Sequence, residues 1–291
     1  MDEKLLAGIG DVAATSLITL YCHALETISD NPILSDPKSV EITTELNKIL
    51  SHSAQPLEKS LAYGTLDMNL VVHIAIRAKK YDDYARDFLK KFPDGVVVNI
   101  GCGLDSRFLR IENGRVLFYD LDLPEIIALK RRFFDENERY RFIASSVLDY
   151  RWMVQVRQHT GPFLFMAEGV FMYLDGKDVR SLVLEIQKTF PGSELVCEVV
   201  NGFWLSSPFL KKLIDYKLQR QVHLGKSAHF RSGIRDSREM EQWGSGKQFL
   251  DEWSYFDSGE TKLGWLGMFG FIPFIRKIQW TVHYRLNLSS G

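Results

Sequence analysis

Apolar positions along the chain change period as the sequence proceeds. Val12, Leu17, Leu20, Ala24, Leu25 and Ile28 recur at helical spacing and predict a helix over 11–29. Asn31-Pro32 and Asp36-Pro37 break the pattern, and residues 38–52 and 57–92 return to it as mainly helical stretches. From residue 96 short apolar runs alternate with helical segments. The runs are Val96–Ile100, Val116–Tyr119, Arg141–Ala144, Phe163–Ala167 and Leu195–Val200; the helices fall over 105–110, 124–138, 150–159 and 175–190. That alternation predicts a parallel sheet with both faces covered. Phe163-Leu164-Phe165-Met166-Ala167 is apolar throughout, as a central strand is. Residues 203–247 interrupt the alternation. A helical stretch containing Trp204, Phe209, Leu213 and Leu218 leads into a basic run, Lys211 to Arg238, with His223, Lys226 and His229. Beyond it, Trp253–Phe256 predicts a strand, 260–270 a short helix, and Ile278–Leu286 a strand with one drier face.

The chemistry concentrates where the first run ends. Val96-Val97-Val98-Asn99-Ile100 stops in Gly101-Cys102-Gly103, and a helix follows. Glycines let the main chain approach a ligand and adopt positive φ, and the helix start behind them offers free N–H groups. The second strand leads into Asp120 and Asp122, the latter 19 residues beyond Gly103, where a carboxylate takes ribose hydroxyls. The pattern implies an adenosine-type cofactor. A dinucleotide fingerprint wants a third glycine where this chain has Ser106, which counts against NAD. S-adenosylmethionine has no pyrophosphate to seat there.

Four segments in order carry a resemblance. They are Ala75–Asp83 with Arg77, Asn99–Arg107 with the glycines, Tyr119–Pro124 with an Asp-x-Pro, and Ala167–Leu174 with Glu-Gly-x-x-x-Tyr-Leu. Together, over about residues 60–200, they resemble the leucine carboxyl methyltransferase family, which includes protein phosphatase carboxyl methyltransferases and bacterial polyketide O-methyltransferases. The resemblance implies a Rossmann-like α/β methyltransferase fold: a mostly parallel sheet with an antiparallel C-terminal strand, a helical N-terminal cap and an inserted helical lid. One domain, 1–291, would then comprise the cap (1–92), a cofactor-binding core (93–202), a substrate lid (203–247) and the C-terminal part of the sheet (248–291). The cap either covers the site or is a plain packing extension.

By the same resemblance, Arg77 pairs with the carboxylate of the cofactor's methionine moiety, and Glu168 takes its α-ammonium. Gly101 and Gly103 face the methionine and ribose, and Asp122 accepts the ribose hydroxyls, with Asp120 as the local alternative. Ser146 and Val147 occupy the adenine positions, where the family has an Asp-Leu pair. Tyr173 is the candidate catalytic residue, touching the substrate or carrying a proton; a core tyrosine is its plainer reading. Asp122→Ala and Gly101→Val should each abolish cofactor binding and leave the chain folded.

The implied reaction is S-adenosylmethionine-dependent O-methylation of a carboxylate or phenol on a small molecule. Alternatives are a protein C-terminal carboxylate as acceptor, an NAD-dependent oxidoreductase and a non-catalytic cofactor-binding module. A carboxylate needs no base at pH 7, whereas a phenol benefits from one. His73, one turn before Arg77, is a weak candidate for that role.

Composition narrows the surroundings. Of 291 residues 45% are hydrophobic and 25% charged, as in an ordinary globular chain. With 36 basic and 37 acidic residues the net charge is −1, which supplies no field for a nucleic-acid partner. Cys22, Cys102 and Cys197 are far apart and lack metal-ligand spacing, so no metal is expected and a reduced, cytoplasmic setting is. No stretch reads as a signal peptide or membrane span.

Overall fold

The computed structural model describes residues 11–206 and 229–288. Its frame is a seven-stranded sheet in the order β3-β2-β1-β4-β5-β7-β6. The strands are β1 (Val96–Ile100), β2 (Leu117–Asp122), β3 (Tyr140–Ala144), β4 (Phe163–Ala167), β5 (Ser193–Val200), β6 (Lys247–Trp253) and β7 (Gln279–Leu286). The first five pair in parallel, and β7 runs antiparallel to both β5 and β6. The expected fold and antiparallel closing strand are therefore present.

Alternation along the strands builds two core layers. Val97, Phe118, Leu164, Met166 and Val196 face one way, toward the cap helices α1 (Asp11–Thr27), α2 (Pro37–Leu50) and α4 (Met68–Lys91), and toward α5 (Arg107–Ile111) and α6 (Pro124–Lys130). Val98, Ile100, Phe165, Ala167, Leu195 and Cys197 face the other way, against α7 (Trp152–Val156) and α8 (Gly176–Thr189). Every residue of β1 and β5 is buried, which is why these strands read as continuous apolar runs.

Local signals fix the cap. Asp36 caps α2 by accepting from Ser39 N at 3.1 Å, with Pro37 in its first turn, and Ile42, Thr43, Leu46 and Leu50 form the buried stripe. The stretch expected to be helical over 57–92 is divided: α3 (Pro56–Ala62) ends near Gly64, whose φ is 65°, and Asp67 caps α4.

Three expectations need correction. The helix over 124–138 stops at Lys130, where Arg132 N and Phe133 N turn back onto Leu129 O and Lys130 O, and Asn137 then leads the chain into β3 by accepting from Arg139 N and Tyr140 N. The strand expected at Trp253–Phe256 lies earlier, at Lys247–Trp253. It is an edge strand rich in charge, and that polarity conceals it. Tyr255–Ser258 is instead a 3-10 turn capped by Ser254 and Asp257. Residues 261–271 wind as 3-10 rather than α-helix, with Gly264 non-helical. Much of the expected lid, 207–228 with Lys211, His223 and Lys226, lies outside the described residues. What is described there is α9 (Gly202–Ser206) and a 3-10 turn at Glu239–Trp243.

Between β6 and β7 the chain returns to the cap. Leu263 packs with Ile33, Leu34, Val72, Ala75 and Ile76. Lys262 Nζ donates to Glu26 Oε1 at 2.6 Å, and Lys79 Nζ to Glu260 Oε1 at 3.0 Å.

Candidate functional site

From β1 the chain steps outward to β2 and β3, then crosses back to β4 on the other side. Sheets of this kind bind ligands at the carboxyl edge of such a reversal. The glycine turn leaves β1 there, and Glu168 leaves β4.

Gly101 and Gly103 adopt φ of 64° and 52°, which only glycine holds without strain. A Cβ on Gly101 would stand 2.4 Å from Val170 Cγ2, and one on Gly103 would stand 3.1 Å from Ser16 Cβ. The turn hangs on β2: Gly101 N donates to Leu121 O at 2.8 Å, and Gly103 N donates to Asp122 Oδ2 at 2.7 Å. Leu123 N donates to the other Asp122 oxygen at 2.7 Å. Burial raises the Asp122 carboxyl to about 6, against those two hydrogen bonds.

Asp120, on the same strand face, has a different fate. It is 1% exposed and pairs with Lys130 Nζ at 2.8 Å. It also accepts from Asn99 Nδ2 at 3.0 Å and Tyr140 OH at 2.6 Å. Lys130, fully buried, donates in turn to Asp105 O at 2.6 Å and so braces the glycine turn. Asp120 is thus spent inside the core, and Asp122 is the carboxylate at the turn.

Arg77 and Glu168 are brought together. Arg77 Nε donates to Glu168 Oε1 at 2.8 Å, and Arg77 Nη1 donates to Glu198 Oε2 at 3.1 Å. Arg107 Nη2 donates to Glu168 Oε2 at 2.5 Å. Burial alone would raise the Glu168 carboxyl; Arg107 and Arg77 outweigh it and hold it below the ordinary value. Burial raises Glu198, with Arg77 working against it. Gly169 lies against this cluster at a φ of 67°, and it is that backbone conformation, not crowding, that favours glycine there.

Ser146 and Val147 lie just past β3, where Ser145 N donates to Asp122 O at 2.9 Å. The Val147 carbonyl accepts from Trp152 Nε1 at 3.0 Å. Asp149 is engaged by Arg151 Nε at 2.8 Å. Tyr173 ends the 3-10 turn after Glu168, with its ring 5.6 Å from that of Phe230. Burial pushes its phenol up to about 12, with Arg77 opposing. The His73 ring packs against Tyr255 at 4.4 Å with a tilt of 44°, and burial together with Arg77 pushes its imidazole down to about 3.

Sequence reasoning missed the charges behind the turn. Arg107, 1% exposed, binds Asp82 Oδ1 at 2.9 Å, Asp105 Oδ2 at 3.0 Å and Asn99 Oδ1 at 3.2 Å. Arg110 reaches Asp82, Asp105, Asp36 and Ser106. Ser106, standing where a dinucleotide motif has its third glycine, donates to Asp36 Oδ1. His23, Asp36 and Asp105 cluster closely enough to suggest a metal, but Arg110 already supplies the cation there. One signal was available: Glu198 is a charge inside an otherwise apolar run, and a buried charge needs a partner.

Comparison with known proteins gives this site its context. The sequence profile of the leucine carboxyl methyltransferase family matches residues 16–187. The tetracenomycin polyketide synthesis O-methyltransferase TcmP of Streptomyces glaucescens is 30% identical over 85% of this chain and 84% of its own. The S-adenosyl-L-methionine-dependent methyltransferase dpfgK of Gibberella zeae is 27% identical over 81% and 80%. A crystal structure of a duf574 family protein from Streptomyces avermitilis shares the fold, with a TM-score of 0.53 at 11% identity over 82% of this chain and 95% of that one. The NAD alternative is set aside. The chain belongs to the leucine carboxyl methyltransferase family and is an S-adenosylmethionine-dependent methyltransferase.

Proposed function

We propose that Arg77, Gly101, Gly103, Asp122, Ser146, Val147 and Glu168 hold the cofactor, and that the chain methylates a carboxylate oxygen of a small-molecule acceptor. The observation that carries the cofactor reading is the Arg77–Glu168 pair beside the glycine turn. Adjacent opposite charges match a zwitterionic amino-acid moiety: its carboxylate faces the arginine fork and its ammonium faces the glutamate. Glu198 stays with Arg77 and Arg107 stays with Glu168, so opening the pair leaves neither charge buried alone. The positive φ of Gly101 and Gly103 gives the tight turn that brings backbone to the carboxyl edge of the sheet.

S-adenosylmethionine supplies an activated methyl group on a sulfonium. The protein's part is to hold the acceptor oxygen in line and exclude water, and orientation of this kind contributes roughly 7–11 kcal/mol. A carboxylate suits the groups present. His73, at about 3, is a poor proton acceptor, and Tyr173, at about 12, stays protonated and serves as a donor to the acceptor. A carboxylate is ionised already and needs neither. The polyketide role in the name of the Streptomyces relative supports a small molecule over a protein C-terminus. The net charge of −1 favours no nucleic acid, and no helix among the described residues is long and apolar enough to cross a membrane. Three buried free thiols, Cys22, Cys102 and Cys197, support a reducing, cytoplasmic setting.

Calorimetric titration with S-adenosylmethionine, S-adenosylhomocysteine and NAD tests the cofactor site. The first two should bind and NAD should not. Glu168→Gln should weaken S-adenosylhomocysteine roughly 10- to 100-fold, the span of a charged hydrogen bond. Unchanged affinity in that variant would remove Glu168 from the site. A turnover rate that climbs with pH up to the acceptor's own pKa would replace the carboxylate by a phenol.

A further inference from the structure

Past the carboxyl end of β5 the chain carries aromatic side chains that the cofactor site does not use. α9 starts two residues after Val200, on the sheet edge that bears Glu168. Its Trp204 ring lies 4.8 Å from Phe274 at 38°, and Phe203 meets Phe274 edge-on at 6.0 Å. Phe274 belongs to a short helix, Pro273–Arg276, that follows the 3-10 segment Thr261–Phe271. Phe203 is 53% exposed, Phe274 47% and Phe271 81%. Exposed aromatic rings packed side by side in this way mark a contact surface.

Two observations say what kind of contact. The Trp204 Nε1 atom is buried yet has no hydrogen-bond partner among the described residues. An indole N–H can only donate, and leaving it unmet costs the full desolvation of the group. A water or ligand oxygen would meet it. The second observation is position. The segment bearing Phe274 is anchored through Leu263 on α4, and Tyr255 packs against His73, one turn before Arg77 on the same helix. Leu205 of α9 and Tyr173 pack in one cluster with Met172, Val200 and Phe230. The aromatic surface is therefore tied on one side to the helix of Arg77 and on the other to the turn after Glu168.

We propose that this surface is the acceptor platform and that Trp204 is its orienting donor. The acceptor is a planar, fused-ring aromatic molecule whose ring system lies against Phe203 and Phe274. One of its carboxylate or carbonyl oxygens accepts from Trp204 Nε1. Aromatic faces and edges favour another ring over an aliphatic chain. This assignment rests on the methyl-transfer reading and adds to it the acceptor's shape and a residue that selects it.

The test is calorimetric titration of the full chain, saturated with S-adenosylhomocysteine, with 2-naphthoate, 3-hydroxy-2-naphthoate and decanoate. The two naphthoates should bind and decanoate should bind more weakly. Trp204→Phe keeps the ring and deletes the donor. It should weaken both naphthoates roughly tenfold, as loss of one hydrogen bond to a charged oxygen does, and leave S-adenosylhomocysteine affinity within about twofold. If that variant does not fold, Phe274→Ala, a change at a half-exposed side chain, should weaken the same probes. Equal naphthoate affinity in Trp204→Phe and wild type removes the donor role. Absence of naphthoate binding to the wild-type complex, or tighter binding of decanoate, overturns the platform. Absence of S-adenosylhomocysteine binding is a separate result and overturns the methyl-transfer reading itself.

Discussion

Asp120 and Asp122 sit two residues apart on one face of one strand and do different work. Asp120 is locked to Lys130, Asn99 and Tyr140, whereas Asp122 holds the glycine turn through two backbone N–H groups. The sequence left both open, because strand spacing cannot tell which carboxylate a distant lysine will claim. The value of about 6 for Asp122 gives a pH signature. Its folded value is raised above the ordinary 3.8, so the folded chain holds that proton more tightly than the unfolded one. The resulting contribution to stability is full below about 4 and is lost as pH rises through 6. In the proposed ribose role binding runs the other way, because ribose hydroxyls need the ionised acceptor. S-adenosylhomocysteine affinity should be level above about pH 7 and fall by up to about tenfold per unit below 6, and Asp122→Asn should flatten that profile. Titration calorimetry from pH 5 to 8 checks it; a wild-type profile without the fall would take Asp122 out of the ribose site. Asp122→Ala removes the acceptor of Gly103 N and Leu123 N and should loosen the turn as well as binding, so Asp122→Asn, which keeps one oxygen acceptor, is the narrower probe. Gly101→Val is no narrower, because its Cβ collides with Val170 and its φ is positive, so it should cost folding as well as affinity.

At the scale of elements, α5 shows what the hydrophobic pattern cannot report. A five-residue helix has little stability of its own. It is held by Phe108 and Ile111 in the core and by two arginines that knit α4, α2 and β4 around it. The buried parallel strands were legible because their apolar runs need no knowledge of partners. The edge strand β6 was not, because charge on an edge resembles a loop. The ion-pair lattice was not either, because its members come from residues 36, 82, 105, 107, 110 and 168, which share no period. Removing one partner from such a lattice is costly. Arg107→Met leaves Asp82, Asp105 and Glu168 undercompensated and should cost about 3–5 kcal/mol in urea unfolding, the scale of a broken buried pair. Arg115→Ala is the matched control. Its pair with Asp94 is exposed on both sides, and its loss should leave the unfolding midpoint almost unmoved. Equal losses in the two variants would show that the lattice does not secure α5.

Across the whole molecule, two N-terminal parts of the chain meet the glycine turn, and the excursion between β6 and β7 is fastened to the same N-terminal helices. Ser16 of α1 stands where a Cβ on Gly103 would go, and Asp36 ties the start of α2 to Ser106 and Arg110. Lys262 and Glu260 fasten the excursion between β6 and β7 to α1 and α4. The sequence left the cap as either a cover or a packing extension. A cover would have its order depend on the turn it touches, whereas a packing extension would not. In a cover, a ligand that fixes the turn stabilises the cap through the same bonds. At 100 times its dissociation constant, S-adenosylhomocysteine should stabilise the chain by about 2.7 kcal/mol. Hydrogen exchange should slow in α1, at the start of α2 and over 255–263, as well as in 99–108 and 120–123. Protection confined to the last two stretches would mean that the cap merely packs on the core. Protection spreading through α1 and the 255–263 segment would make the cap, the core and the excursion one cooperative unit closed by the ligand.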